Sequence, residues 1–295
     1  MVEIDRERLT GMVELSPHGK LIGQKANFHY AWVMGNREAV MEPASLEEIA
    51  MLAMEFGRIL MECGASANIV DEYVGRAATG LGAERVDLRV GYASLAITVG
   101  VGGEGITRMR KVGHLGVNQR LGQAVRGLVR RLESEALSLK ATREELSRLV
   151  KATPRHPGWL VDLAVGLACA SFGRLLEVDW VAFLPVFGAA ALGQCVRRQL
   201  LQRHVNVFIV ATVVAFLASF LAGLAARLAG SETVDKAMVS AVLLLVPGVP
   251  LLNAQYDVLG GYPTLGNARA VWVATILVFL AVGVWLGQIA LGEGH

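Results

Sequence analysis

LeuLeuLeuValProGlyValProLeuLeuAsnAla, residues 243–254, decides how the second half of this chain is read. Seven of these twelve residues are Leu or Val, long apolar side chains that suit lipid. Pro247, Gly248 and Pro250 stand among them, where a membrane-spanning helix would lose hydrogen bonds. Each Pro removes an N–H donor from the ladder and clashes with the preceding turn. In hydrocarbon a freed carbonyl costs several kcal/mol unless protein or cavity water satisfies it. A helix broken at that depth points to a solute site, because half-helix ends and free backbone groups meet substrates in transporters. Asn253, Gln255 and Asp257 follow directly and add polar side chains. The alternative is a Pro kink that serves packing alone.

Composition supports a membrane setting. Of 295 residues 54% are hydrophobic, and the mean hydropathy is +0.47, too apolar for an ordinary soluble domain. Charge is unevenly spread: residues 1–150 hold 19 Lys and Arg and 19 Asp and Glu, whereas 151–295 hold 9 and 7. The first half can be soluble; the second cannot. A net charge of +2 without clustering gives no nucleic-acid footprint. Cys63, Cys169 and Cys195 lack metal-ligand spacing and suggest no disulfide framework. The first 25 residues are polar, which argues against a signal peptide.

Five apolar runs, about 158–176, 180–196, 205–227, 237–256 and 269–291, approach the length that spans a bilayer. Trp159, Trp180, Trp272 and Trp285 lie at or near their ends, as an aromatic belt would place most of them. Nine Lys and Arg (Lys140, Arg143, Arg148, Lys151, Arg155, Arg197, Arg198, Arg203, Arg269) fall on one side of the runs. Three (Arg174, Arg227, Lys236) fall on the other. The positive-inside rule puts the N-terminal half in the cytoplasm and the C-terminus outside, at the inner (plasma) membrane of the cell. Small residues at helical spacing predict close helix packing: Gly166, Ala170 and Gly173; Gly188, Ala191 and Cys195; Ala218, Ala222 and Ala225–Ala226.

Upstream, residues 1–44 are weakly patterned. Ser45 and Ser66 are N-cap candidates for two helices, the first ended by Gly64 and the second by Gly80–Leu81–Gly82. Val86, Leu88 and Val90, then Leu95, Ile97 and Val99, alternate with period two and predict strands, with a third over 106–112. Gly100–Gly105 joins the last two as a hairpin loop; no GlyLys[Ser/Thr] follows, so it is no P-loop. One long helix is expected over about 117–150, leading through Pro154 and Pro157 into the first run. His114 near Arg110 and Lys111, and Cys63 near Glu62, bring no nucleophile–base–orienter set. No catalytic residue and no cofactor are expected.

These residues resemble a known family. The 243–254 run is similar to the signature of the threonine/serine exporter family. Supporting matches are CysGlyAla (63–65), ThrArgMetArgLysVal (107–112), Gly116–Val117–Asn118, ProGlyTrpLeuVal (157–161) and ArgArgGlnLeuLeuGlnArgHis (197–204). The resemblance covers about 46–290. It implies export of small polar metabolites, a dicarboxylate such as succinate or threonine and serine. It also implies a large subunit of the split, two-component type, working with a small transmembrane partner or with copies of itself. Many members carry an acidic residue after the CysGlyAla-like turn, where this chain has Ser66.

The expected architecture is an α-helical membrane protein of five transmembrane helices with an N-terminal cytoplasmic α+β domain. It divides into a weakly ordered arm (1–44), the α+β domain (45–156) and the helical membrane domain (157–295). The expected substrate-binding residues are Pro247, Gly248, Pro250, Asn253, Gln255 and Asp257, with Lys236 as a cation for an anionic solute. A membrane-anchored enzyme and a solute sensor are the alternative functions.

Overall fold

The computed structural model describes residues 45–113, 116–135, 137–153 and 156–292. The arm expected over 1–44, His114, Pro154, Arg155 and the last three residues lie outside them.

The first helix, α1 (Leu46–Glu62), starts in a capping box: Ser45 Oγ accepts the Glu48 N–H, and the Glu48 carboxylate accepts the Ser45 N–H. Ile49, Leu52, Phe56, Ile59 and Leu60 form its buried stripe. Gly64, at φ +86°, turns the chain into α2 (Ala67–Gly80). The sheet β1 (Arg85–Val90), β2 (Ser94–Val101), β3 (Glu104–Lys111) is antiparallel in that order. Its central strand buries Leu95, Ile97 and Val99 completely. A Cβ on Gly57 would come within 2.9 Å of both Leu95 and Val74, so α1 lies close to β2 and to α2. The glycine-rich loop is tighter than expected. Gly102 (φ +57°) and Gly103 (φ +90°) alone make the hairpin turn, and the flanking glycines join the strands.

The single helix expected over 117–150 is two: α3 (Gln119–Glu135) and α4 (Leu139–Ala152). The physical reason is Ser138, whose hydroxyl accepts the Ala141 N–H at 3.2 Å and starts α4 afresh.

The helical half comprises α5 (Gly158–Leu175), α6 (Phe183–Gln202), α7 (Val207–Leu228), α8 (Val234–Ser240), a 3₁₀ turn (Leu243–Leu245), α9 (Gly248–Leu259) and α10 (Pro263–Leu291). Three helices, α5, α7 and α10, are long and apolar enough to cross a membrane. The segments Val234–Leu245 and Gly248–Leu259 form a pair bent by 60°, a fourth crossing if taken as one span. Helix α6 is long enough at 20 residues, but Gln194, Arg197, Arg198 and Gln199 lower its apolarity.

Small residues set the seams. A Cβ on Gly166 would meet the Phe187 carbonyl at 2.6 Å, and one on Gly193 would meet Ala218 at 3.1 Å. Of the row expected on α6, Gly188 faces nothing within 4 Å, whereas Ala191 lies 3.0 Å from where a Cβ on Gly166 would stand; the buried positions of α6 are Val186, Ala189, Ala190 and Gly193. Gly283 and Gly287 of α10, four residues apart, sit flush on α7, where added Cβ atoms would approach Thr212 O at 2.5 Å and Ser219 Oγ at 2.3 Å. Opposite ends of the bundle carry separate polar clusters. Near the start of α5, Asp162 pairs with Arg198 at 2.6 Å. Beyond its end, Asp179 accepts from the Ala182 N–H, the Ser231 hydroxyl and the Glu232 N–H at 2.7–2.9 Å.

Candidate functional site

The break in the bent pair is local and specific. Helix α8 ends at Ser240, the chain loosens into the 3₁₀ turn, and Val246 is extended. Pro247 (φ −78°, ψ 67°) forms an inverse γ-turn, closed by the Gly248 N–H donating to Val246 O at 2.9 Å. Helix α9 then begins, with Gly248 as its first residue. Pro250 sits in its first turn, where a missing N–H costs nothing. The interruption therefore lies at Val246–Pro247, and Pro250 helps start the second half rather than break the first. Among the described residues no backbone N–H bonds the Leu244 or Leu245 carbonyl. Both residues line a cavity of ≈ 10 Å³ shared with Gln194 of α6, room for about one water. One turn upstream, Ser240 Oγ is fully buried against Gly173 and has no hydrogen-bond partner among the described residues.

Beyond the break, α9 and the start of α10 grip the α1–α2 turn. Asn253 Nδ2 donates to Gly64 O at 2.8 Å, and the Arg269 guanidinium donates to Ala65 O at 3.3 Å. These are carbonyls at the C-terminal end of α1, where positive charge and donors are favoured. Asp257, with 0% exposure, accepts the Ala67 N–H at 2.7 Å and also pairs with Arg269. That N–H is the first orphan donor of α2, and the helix dipole favours an anion there. Ser66, the expected cap, makes no side-chain capping bond. One segment thus supplies the donors for the end of α1 and the acceptor for the start of α2. Gly260 packs under the exposed Asn68 side chain of α2, which a Cβ there would push aside. Burial, together with the bond to Asp71 on α2, pushes the Tyr262 hydroxyl up to about 12.

The expected site residues divide accordingly. Pro247, Gly248 and Pro250 form the break and its sequel; Asn253 and Asp257 hold the α1–α2 turn. Gln255 points outward and is exposed. Lys236 stands apart at the far end of the pair, exposed and bonded to Glu177 at 2.9 Å. Arg269 enters the sequence reading only through its charge, and the structure places it in this cluster. Between Lys236 and Glu293 the sequence holds just one anion and one cation, Asp257 and Arg269, and that isolation was the available signal. Cys63 is buried, and burial and then the Glu62 charge push its thiol up, which disfavours the reactive thiolate; Arg58 holds Glu62 at 2.7 Å.

A family profile described as "Putative threonine/serine exporter" matches residues 51–290. The chain belongs to the threonine/serine exporter family. Within this family it is 32% identical over 242 residues to the "Probable succinate transporter subunit YjjP" of Escherichia coli, covering 82% of this chain and 93% of the relative. The Klebsiella aerogenes protein of the same name is 32% identical over 234 residues, 79% of this chain and 89% of that one. No solved structure matches. As an exporter-family member with several long apolar helices, the chain is a multi-pass membrane transporter and not an enzyme.

Proposed function

We propose that this chain is the large subunit of a two-component exporter that carries a small polar metabolite, a dicarboxylate such as succinate or threonine and serine, out of the cytoplasm. The observation that carries the reading is the interruption at Val246–Pro247, which leaves the Leu244 and Leu245 carbonyls without N–H partners beside Gln194. Its solute site is the break itself, with Pro247, Gly248 and Pro250 shaping the backbone. Asn253 and Asp257 govern its cytoplasmic end, and Lys236 stands at the outer mouth. Gln255, exposed beside Leu251, Leu252 and Tyr256, belongs to the face that the small partner covers. The relatives are named as subunits, which supports a partner.

The same reading makes five crossings, with α6 as the second, the N-terminus inside and the C-terminus outside. Residues 45–156 are then the cytoplasmic α+β domain and 157–295 the membrane domain, in the inner membrane. Two features support it: the nine-to-three Lys and Arg bias and the separate polar clusters at the two ends of the bundle.

Proteoliposomes loaded with labelled succinate or threonine, containing this chain with and without its small partner, test the proposal. Efflux should require both chains. Absence of efflux for succinate, threonine and serine with both chains present would overturn it.

A further inference from the structure

Helices α1 and α4 flank a groove of ≈ 470 Å³ on the side of the sheet, unrelated to the broken helix. Its size is that of a small-ligand site. Met51, Leu52 and Ile59 of α1 and Leu146 and Val150 of α4 make an apolar floor. Arg143, Ser147 and Lys151, each four residues on, line one face of α4 and rim it.

The charges at the rim do not balance. Glu55 is also there, but burial is outweighed by bonds from Arg58 and Arg110, which hold its carboxyl below the usual range and ionised. Arg110 is thereby neutralised. Among the described residues Arg143 and Lys151 have no ion-pair partner and stand exposed. An apolar trough with two free cations at its edge is complementary to an amphiphile with an anionic head.

The position of the groove decides the source. Helix α4 ends at Ala152, and α5, a membrane-crossing helix, begins at Gly158. The seven steps from Lys151 to Gly158 reach at most about 25 Å, which keeps Lys151 within reach of the membrane surface. Helix α1 also runs toward the bundle, since Gly64 just beyond it bonds Asn253. We infer that this groove binds an anionic phospholipid of the surrounding membrane, its phosphate between Arg143 and Lys151 and its apolar part on the Met51–Val150 floor.

The test uses the full chain in neutral detergent and counts bound lipid by native mass spectrometry. The probes are dioctanoyl phosphatidylglycerol, dioctanoyl phosphatidylcholine, inorganic phosphate and succinate. Phosphatidylglycerol should bind at least about tenfold more tightly than phosphatidylcholine. Arg143→Gln with Lys151→Gln should bring that ratio near one. Arg89→Gln with Arg120→Gln, which removes equal charge elsewhere, should leave it intact. A ratio near one in the unmodified chain, or one insensitive to the first pair of substitutions, overturns the inference. Displacement of phosphatidylglycerol by equimolar phosphate or succinate also overturns it and assigns the groove to a free anion.

Discussion

Asp257 caps a helix that begins 190 residues earlier in the chain: its buried carboxylate accepts the Ala67 N–H at 2.7 Å. The same carboxylate pairs with Arg269, which also reaches Ala65 O. The turn after CysGlyAla here receives its carboxylate from across the structure. The contact ties the α1–α2 pair to the half-helix that follows the break.

Removing that carboxylate strands a buried guanidinium and an orphan N–H. Asp257→Ala should therefore cost about 3–5 kcal/mol, read as a fall in thermal unfolding temperature in detergent. Adding Ser66→Asp to it should return about 1 kcal/mol by capping α2 locally, and leave the loss of the Arg269 pair uncompensated. If Ser66→Asp rescues nothing, the capping role assigned to Asp257 is wrong.

The α7–α10 seam depends on having no side chain at two positions. Gly283→Leu would drive a side chain into the Thr212 carbonyl, which already lies 2.5 Å from an ideal Cβ. We expect a loss of at least about 1–3 kcal/mol, with the chain degraded or aggregated on expression. Gly188→Leu, where a Cβ meets nothing within 4 Å, should be tolerated. Equal behaviour of the two variants would contradict the seam.

Topology is testable with reporter fusions. Fusions truncated after Leu200 and after Gly261 should report the cytoplasm, and one after Gly292 the outside. This follows from the Lys and Arg bias and from the bonds joining 253–269 to the α1–α2 turn. A fusion after Gly292 that reports the cytoplasm would remove one crossing, and α6 would be the first suspect.

Much of this architecture was legible in the residues. Period-two alternation marked Leu95, Ile97 and Val99 as a strand, because one buried face imposes that period. Ser45 marked a helix start because the Glu48 N–H that its hydroxyl caps lies within one turn. The same local logic failed at Ser66, since the group that caps α2 is remote in sequence and no spacing rule reaches it. It failed again over 117–150, where apolar spacing carried through Ser138 and hid a second cap. The break was visible as two prolines, but a sequence gives them equal weight. The backbone does not, because one stands in the γ-turn and the other in a first helical turn that needs no N–H.

That asymmetry gives the most direct test of the claim that the break is the transport element. Efflux of labelled succinate and threonine should be compared for Pro247→Ala and Pro250→Ala in proteoliposomes that contain the small partner. Pro247→Ala lets the ladder run through Val246 and consume the free carbonyls, so it should reduce flux at least about tenfold while the chain still inserts. Pro250→Ala should keep most of the flux. Full transport by Pro247→Ala would mean that the interruption serves packing alone, and the solute site would have to lie elsewhere.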